Sequence, residues 1–179
     1  MRISKIIIAD YDPHWPHLFE KEKDRLNQSV GPWVLDIQHI GSTSIPGLGA
    51  KPIIDIMIGV KMLQDADTYC LVPISGLGYD YVMKYEDQMP FRRYFHKNGA
   101  ENTLEHHIHL VEKDSEFWER HIAFRDYLRV NKETARQYEE LKRFLSPKFS
   151  DGNEYASAKT EFIKGVEEKA FKQRDTQTT

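Results

Sequence analysis

Apolar residues recur at helical intervals between Trp15 and Val30, where Trp15, Leu18, Phe19, Leu26 and Val30 stand among Glu, Lys and Arg. Gly31-Pro32 closes the run, so the pattern predicts an amphipathic helix covering a sheet. Ahead of it, Ile3–Ala9 is continuous and β-branched and stops at Asp10-Tyr11-Asp12-Pro13, which predicts a short strand. Val34–Ile40 and Pro52–Val60 are the next strand candidates, and the second is apolar on both faces except at Asp55, as in a buried central strand. Met62–Leu77 has a helical pattern broken at Pro73, and Gly78 leads to a strand over Tyr79–Lys84. Met89–Lys97 and Glu105–Glu112 alternate on either side of Asn98-Gly99, predicting an antiparallel β-ribbon. After Ser115 the pattern turns to long amphipathic helices, about 116–130, 132–145 and 154–171, with Ser115, Asn131 and Asn153 at N-cap positions. The fold class is therefore α+β, with a helical C-terminal third.

With 179 residues, 40% of them apolar, the chain is long enough for one core and short for two, so residues 1–172 read as one domain and the polar residues 173–179 as a flexible tail. The net charge of −3 comes from 25 basic and 28 acidic residues that are scattered, which argues against duplex nucleic acid as a partner. An anionic partner has to be held locally. Cys70 stands alone, excluding an internal disulfide, and the start of the chain lacks the apolar run of a signal peptide or membrane span, so a reducing cytoplasm is the expected compartment. No pattern specifies an oligomeric state.

The chemistry concentrates in His39-Ile40-Gly41-Ser42-Thr43-Ser44-Ile45-Pro46-Gly47-Leu48-Gly49, between two strand candidates. Three glycines let backbone N–H groups approach an anion, three hydroxyls add donors, and Lys51 offers a mobile positive charge, all without Walker P-loop spacing. The plain alternative is a tight surface loop in which Gly and Pro serve turning alone. Asp55 shifts the balance, because a carboxylate inside Ile53-Ile54-Asp55-Ile56-Met57-Ile58 is costly to bury ionised without a cation, donors or an open cleft.

The run His39-x-Gly41-Ser42-Thr43-Ser44-x-Pro46-Gly47-Leu48-x-x-Lys51-Pro52-Ile53-Ile54-Asp55 resembles the signature of the GrpB family, within the nucleotidyltransferase (polymerase β-like) superfamily, which also occurs fused to dephospho-CoA kinase in some bacteria. The resemblance extends through Tyr11-Asp12-Pro13-x-Trp15, Arg92-Arg93-Tyr94-Phe95, His107-Ile108-His109-Leu110, Phe124-Arg125-Asp126-Tyr127-Leu128 and Tyr155-x-x-Ala158-Lys159-x-x-Phe162-Ile163. It implies a mixed central sheet flanked by helices, Gly-Ser at a phosphate-binding turn, and a metal carboxylate on the following strand, with Mg²⁺ or Mn²⁺ as the cation. The superfamily carries two acids two residues apart on that strand; here the second position is Met57, which cannot bind a hard cation.

Asp55 and Ser42 are thus the candidate catalytic residues, and His39, Gly41, Ser42, Thr43, Ser44, Lys51, Arg92, Arg93, Arg125 and Lys159 the candidate phosphate-binding set. His107 and His109 share one face of their strand and with Asp55 compose a two-His, one-carboxylate set suited to Zn²⁺, Mn²⁺ or Fe²⁺ rather than Mg²⁺; the ordinary alternative is a pair of partly buried histidines hydrogen-bonded to neighbours or contacting phosphate oxygens. Adjacent Arg92 and Arg93 cannot both enter one cleft, Arg125 has a salt bridge as its ordinary fate, and Glu86 is a further candidate acid. Three functions follow: nucleotidyl transfer to an unknown acceptor, non-catalytic binding of a nucleotide or CoA precursor, and metal-dependent hydrolysis on Asp55, His107 and His109.

Overall fold

Five strands hydrogen-bond in the order β1-β2-β5-β4-β3: β1 Val34–Ile40, β2 Ile53–Val60, β3 Asp80–Tyr81, β4 Arg92–Lys97 and β5 Glu105–Glu112. They belong to a computed structural model that describes residues 6–99 and 105–177. β2 runs antiparallel to β1 and parallel to β5, while β4 pairs antiparallel with both β5 and β3. The sheet is mixed and the class is α+β.

Strand alternation divides the core. Ile54, Ile56 and Ile58 of β2, with Ile108 and Leu110 of β5 and Phe95 of β4, face α1 (Trp15–Val30), α2 (Leu63–Tyr69) and α3 (Leu71–Gly76). The helical spacing of Trp15, Phe19, Leu26 and Val30 builds the α1 stripe. Glu22 lies buried on that same stripe and is satisfied by the Tyr79 hydroxyl at 2.8 Å, Lys97 Nζ at 2.6 Å and Arg25 at 2.7 Å. On the opposite face Ile40, Met57 and Val111 pack against Trp118 of α4 (Glu116–Val130). Ile45 and Leu48, in the connection from β1 to β2, pack against Leu128 of α4, Ala135 and Tyr138 of α5 (Lys132–Leu145), and Val166 of α7 (Thr160–Gln177). The turn singled out by the sequence is therefore clamped between the sheet and the helical third.

Several boundaries differ from expectation. Of the strand expected at Ile3–Ala9, the first residues lie outside the described ones, and the remainder forms only a bridge from Ala9 to Ala50, with both N–H···O bonds at 2.9 Å. The break in the next helical segment falls at Cys70 rather than Pro73. One uninterrupted helix would drive the Pro73 ring into the Tyr69 carbonyl; restarting at Leu71 puts Pro73 in a first turn, where its missing N–H costs nothing. β3 is only two residues long because the chain turns into a 3₁₀ segment at Met83–Tyr85. The helix expected over 154–171 is two, α6 (Gly152–Ser157) and α7, joined at Ala158-Lys159, and α7 continues to Gln177. Ser115 caps α4, but Asn131 makes no side-chain cap bond, and α6 is capped by Asp151 instead of Asn153, through the N–H groups of Asn153 at 2.8 Å and Glu154 at 3.0 Å. The turn expected at Asn98-Gly99 runs into residues outside the described ones.

Candidate functional site

Gly41 adopts φ 69°, ψ −177°, a conformation that side chains other than glycine rarely take. It also has no room for one, since a Cβ there would sit 2.3 Å from Asp55 Oδ2. The following Ser42–Ser44 3₁₀ turn is closed by Ser44 N–H to the Gly41 carbonyl and Ile45 N–H to the Ser42 carbonyl, each 3.2 Å. Two of its hydroxyls are used internally: Ser44 Oγ donates to the Gly41 carbonyl at 2.6 Å and Thr43 Oγ1 to the Ile53 carbonyl at 2.8 Å. The expectation that these two grip a ligand is corrected accordingly, because their protons hold the turn. His39 is corrected too. It points to the α1 side of the sheet, stacks on Phe19 with centroids 4.7 Å apart, and sits 3.0 Å from Thr43 Oγ1. Burial is the main cause holding its pKa at about 4, and a neutral ring donating from Nε2 to Thr43 braces the turn from behind.

Ser42, Lys51 and Asp55 open onto a cavity of about 80 Å³ whose other wall is Lys142 of α5, Tyr155 of α6 and Lys159 from the α6–α7 junction. Small-molecule pockets run to roughly 300 Å³ or more. This one therefore admits a phosphate-sized group and leaves the rest of a ligand outside. Ser42 engages the Tyr138 hydroxyl at its edge. Lys142 is 2% exposed, donates to the Gly49 carbonyl and lies 4.9 Å from the Tyr138 ring centroid. Burial, and then the like charge of Lys159, bring its pKa down to about 7. Lys159 lies 4.2 Å from the Tyr155 centroid, and burial followed by Lys51 brings it to about 8 against the pull of Asp55. The Tyr155 hydroxyl is buried without a hydrogen-bond partner among the described residues, an arrangement that costs on the order of 1–3 kcal/mol unless a ligand or water meets it.

Asp55 pairs in register with His107, and Met57 with His109, across the parallel β2–β5 ladder. Asp55 Oδ1 lies 3.4 Å from His107 Nδ1 and 3.8 Å from His109 Nε2. Burial raises the Asp55 pKa, but the two imidazoles outweigh it and hold the carboxyl well below the usual range. His107 Nε2 lies 3.7 Å from Glu105, so both ring nitrogens face acids. Burial alone lowers the His107 pKa, yet Asp55 and Glu105 lift it to about 9, and the ring is an imidazolium. His109 differs. Its Nδ1 faces Arg92 at 3.2 Å, and a guanidinium can only donate, so Nδ1 accepts and Nε2–H points at Asp55. Burial, only partly offset by Asp55, lowers the pKa of this ring.

These assignments do not fit the expected metal centre. Met57 is fully buried against Trp118, His109 accepts from Arg92, and the lysines around the cavity repel a cation. Among the described residues no three His, Cys, Asp or Glu side chains are placed to hold a metal ion.

The arginines also fall elsewhere. Arg92 shares the Asp55 face but stops behind His109, stacked 5.0 Å from the Tyr94 centroid. Arg93 points the other way and grips Asp67 through two bonds of 2.6 and 2.8 Å, with Glu86 3.7 Å away. Glu86 itself accepts from the Tyr81 hydroxyl, so it is not an acid of the cavity. Arg125 donates to Gln38 Oε1 at 2.7 Å and to the His39 carbonyl at 3.0 Å, tying α4 to the β1 edge. Arg125→Ala is accordingly expected to cost about 2 kcal/mol in a urea melt while leaving phosphate binding unchanged. Lys142, Tyr155 and Glu105 are the residues that sequence reasoning left out of the site. Lys142 had a legible signal, since it continues the buried 135/138 helical stripe as a cation where an apolar residue is expected.

His107 gives stability a pH signature. Its folded pKa of about 9 lies above the ordinary 6.5, so its contribution is complete below 6.5 and disappears as pH rises through 9. Melting curves of the wild type and His107→Gln should differ most near pH 6.5 and converge above 9. A constant difference across that range contradicts the imidazolium assignment.

A family model described as GrpB protein matches residues 5–169. The chain is 37% identical over 163 residues to the glutamate-rich protein GrpB of Alkalihalophilus pseudofirmus, covering 89% of this chain and 92% of that protein. It is 40% identical over 168 residues to UPF0157 protein YqkA of Bacillus subtilis, covering 93% of this chain but 47% of that protein, so it spans about half of that relative's length. The crystal structure of conserved protein GrpB from Enterococcus faecalis matches with a TM-score of 0.82 at 36% identity, over 94% of this chain and 99% of that one. No helix among the described residues is long and apolar enough to cross a membrane.

Proposed function

The chain belongs to the GrpB family, and from that membership and the lysine-lined cavity we propose that it binds the phosphate end of a nucleotide or another phosphorylated small molecule. The observation that carries this reading is the convergence of Lys51, Lys142 and Lys159 with the unpartnered Tyr155 hydroxyl on one cavity of phosphate size. Crowded, partly desolvated amines are poorly balanced by Asp55, whose charge is already engaged by His107. An oxyanion restores the balance and gives the tyrosine a partner. The nucleoside or pantetheine portion lies outside, where the cavity opens.

Thermal shift with inorganic pyrophosphate, nucleoside mono-, di- and triphosphates and a CoA precursor, against unphosphorylated nucleosides, tests this. Phosphorylated compounds should stabilise the chain, by about 2.7 kcal/mol at a hundredfold excess over Kd, and nucleosides should not. Equal responses from nucleosides, or none from any phosphate, overturn it. Nucleotidyl transfer is a second reading, favoured by one observation: Asp55 opens onto the same cavity as the lysines. Pyrophosphate release from labelled nucleotides that disappears in Asp55→Asn makes the chain a transferase; binding without turnover leaves it a binding module.

A further inference from the structure

We propose that a second cavity, at the free edge of β1 between α1 and α4, binds a small organic carboxylate whose apolar body lies against Phe19 and Ile37. No residue lines both this cavity and the lysine-lined one, so the two sites stand or fall separately.

β1 is an outer strand of the sheet, and Ile37, Gln38 and His39 border a cavity of about 360 Å³. Small-molecule sites begin at roughly 300 Å³, so this one has space for a whole molecule rather than a single phosphate group. Phe19 and Ile37, 5% and 2% exposed, give it a fixed apolar wall. Its cations are Lys23 of α1 and Arg125 and Arg129 of α4. The two arginines stand one helical turn apart, a spacing at which like charges repel. Burial first, and Arg125 second, lower the Arg129 pKa.

Neither guanidinium is saturated, since each carries five N–H donors. Arg125 spends Nε on Asp126 and Nη1 on Gln38 and the His39 carbonyl, which leaves Nη2 without a hydrogen-bond partner among the described residues. Arg129 spends Nε and Nη2 on one oxygen, the Ser44 carbonyl, at 3.1 and 2.9 Å, and its Nη1 is 3.7 Å from Asp126. A fork of two donors closed on a single acceptor is the geometry that a two-oxygen carboxylate satisfies better. Lys23 makes no ion pair among the described residues; its Nζ lies 5.8 Å from the Phe19 centroid. These three cations face two acids, Glu20 on the wall and Asp126 beside Arg125, so one positive charge is left over. A monoanion balances it. In the lysine cavity, by contrast, three amines share Asp55 as the acid of the lining, which suits a more highly charged group.

Amide NMR spectra of the isotope-labelled chain, titrated with phenylacetate and separately with phenylacetamide, test the assignment. Phenylacetate at millimolar concentration should shift the signals of Ile37, His39, Ser44 and Arg129, and phenylacetamide, of the same shape but uncharged, should bind about tenfold more weakly. Arg129→Gln should cost phenylacetate about tenfold in affinity and Lys23→Gln about threefold, while Lys159→Ala leaves it unchanged. Lys23→Gln touches no hydrogen bond of the fold, so it reads the cavity even if Arg129→Gln does not fold. Shifts confined to Lys51, Asp55 and Lys159, no shifts at all, equal binding of the amide, or wild-type affinity in whichever of Arg129→Gln and Lys23→Gln folds overturns the site. Phenyl phosphate supplies the last arm: it should bind at the β1 edge no more tightly than phenylacetate, and tighter binding there overturns the choice of a carboxylate.

Discussion

Gly41→Ala is expected to lower the melting temperature by roughly 6–12 °C, the equivalent of about 3 kcal/mol in a chain of this length. Two costs combine. The backbone conformation at φ 69°, ψ −177° is close to glycine-only, and the new methyl group meets Asp55 Oδ2 at 2.3 Å. Asp55 cannot retreat, because it pairs with Ile40 on one side and His107 on the other. Gly47 is the control: its φ of 81° is also left-handed, but a Cβ there meets nothing within 4 Å. Gly47→Ala should cost only the conformational part, about 1 kcal/mol. Similar losses at both positions show that the contact with the carboxylate contributes nothing.

Lys159→Ala is expected to weaken inorganic pyrophosphate by roughly 10–100-fold, the usual worth of a charge-assisted contact in a shielded site. The same cavity predicts proton uptake on binding. Lys142 and Lys159, with pKa values of about 7 and 8, are partly neutral at mildly alkaline pH, and an anion drives both toward the charged form. Affinity should therefore fall as pH rises through that interval. Sulfate is the cleaner probe, since it does not itself titrate there, and calorimetry in buffers of different ionisation enthalpy counts the protons. Pyrophosphate and sulfate binding indifferent to pH as it rises through 7 and 8 contradicts the depressed lysines.

Much of the frame could be read from residue order, because each long element carries its own period. The 3.6-residue stripe of α1 and the two-faced apolar run of β2 need no knowledge of the rest of the chain. Asp55 and the Gly41-Ser42 turn were conspicuous for the same reason: polarity in an apolar strand, and glycine where a strand stops. What stayed hidden depends on partners distant along the chain. Thr43, Ser44 and His39 have the composition of ligand contacts, yet their donors close on Ile53, Gly41 and Thr43 respectively. Arg93 resembles a phosphate clamp until Asp67 is found opposite. Lys142 and Tyr155 come from helices whose own patterns say only that one face is buried, and the sequence does not announce that this face closes over the turn. The helix boundary at Cys70 turned on a clash with a carbonyl four residues back, a local rule applied one turn too late.

The bond from Lys142 to Gly49 bridges residues 93 apart, and Lys159 reaches the turn from farther still. During synthesis, then, the segment through β5 leaves the ribosome with a glycine-rich bend and an acid but no amines from α5 or the α6–α7 junction to close over them. Ligand capture should begin only once α5 and the α6–α7 junction have emerged and docked, so occupancy would report chains whose cavity has closed and pass over shorter nascent ones.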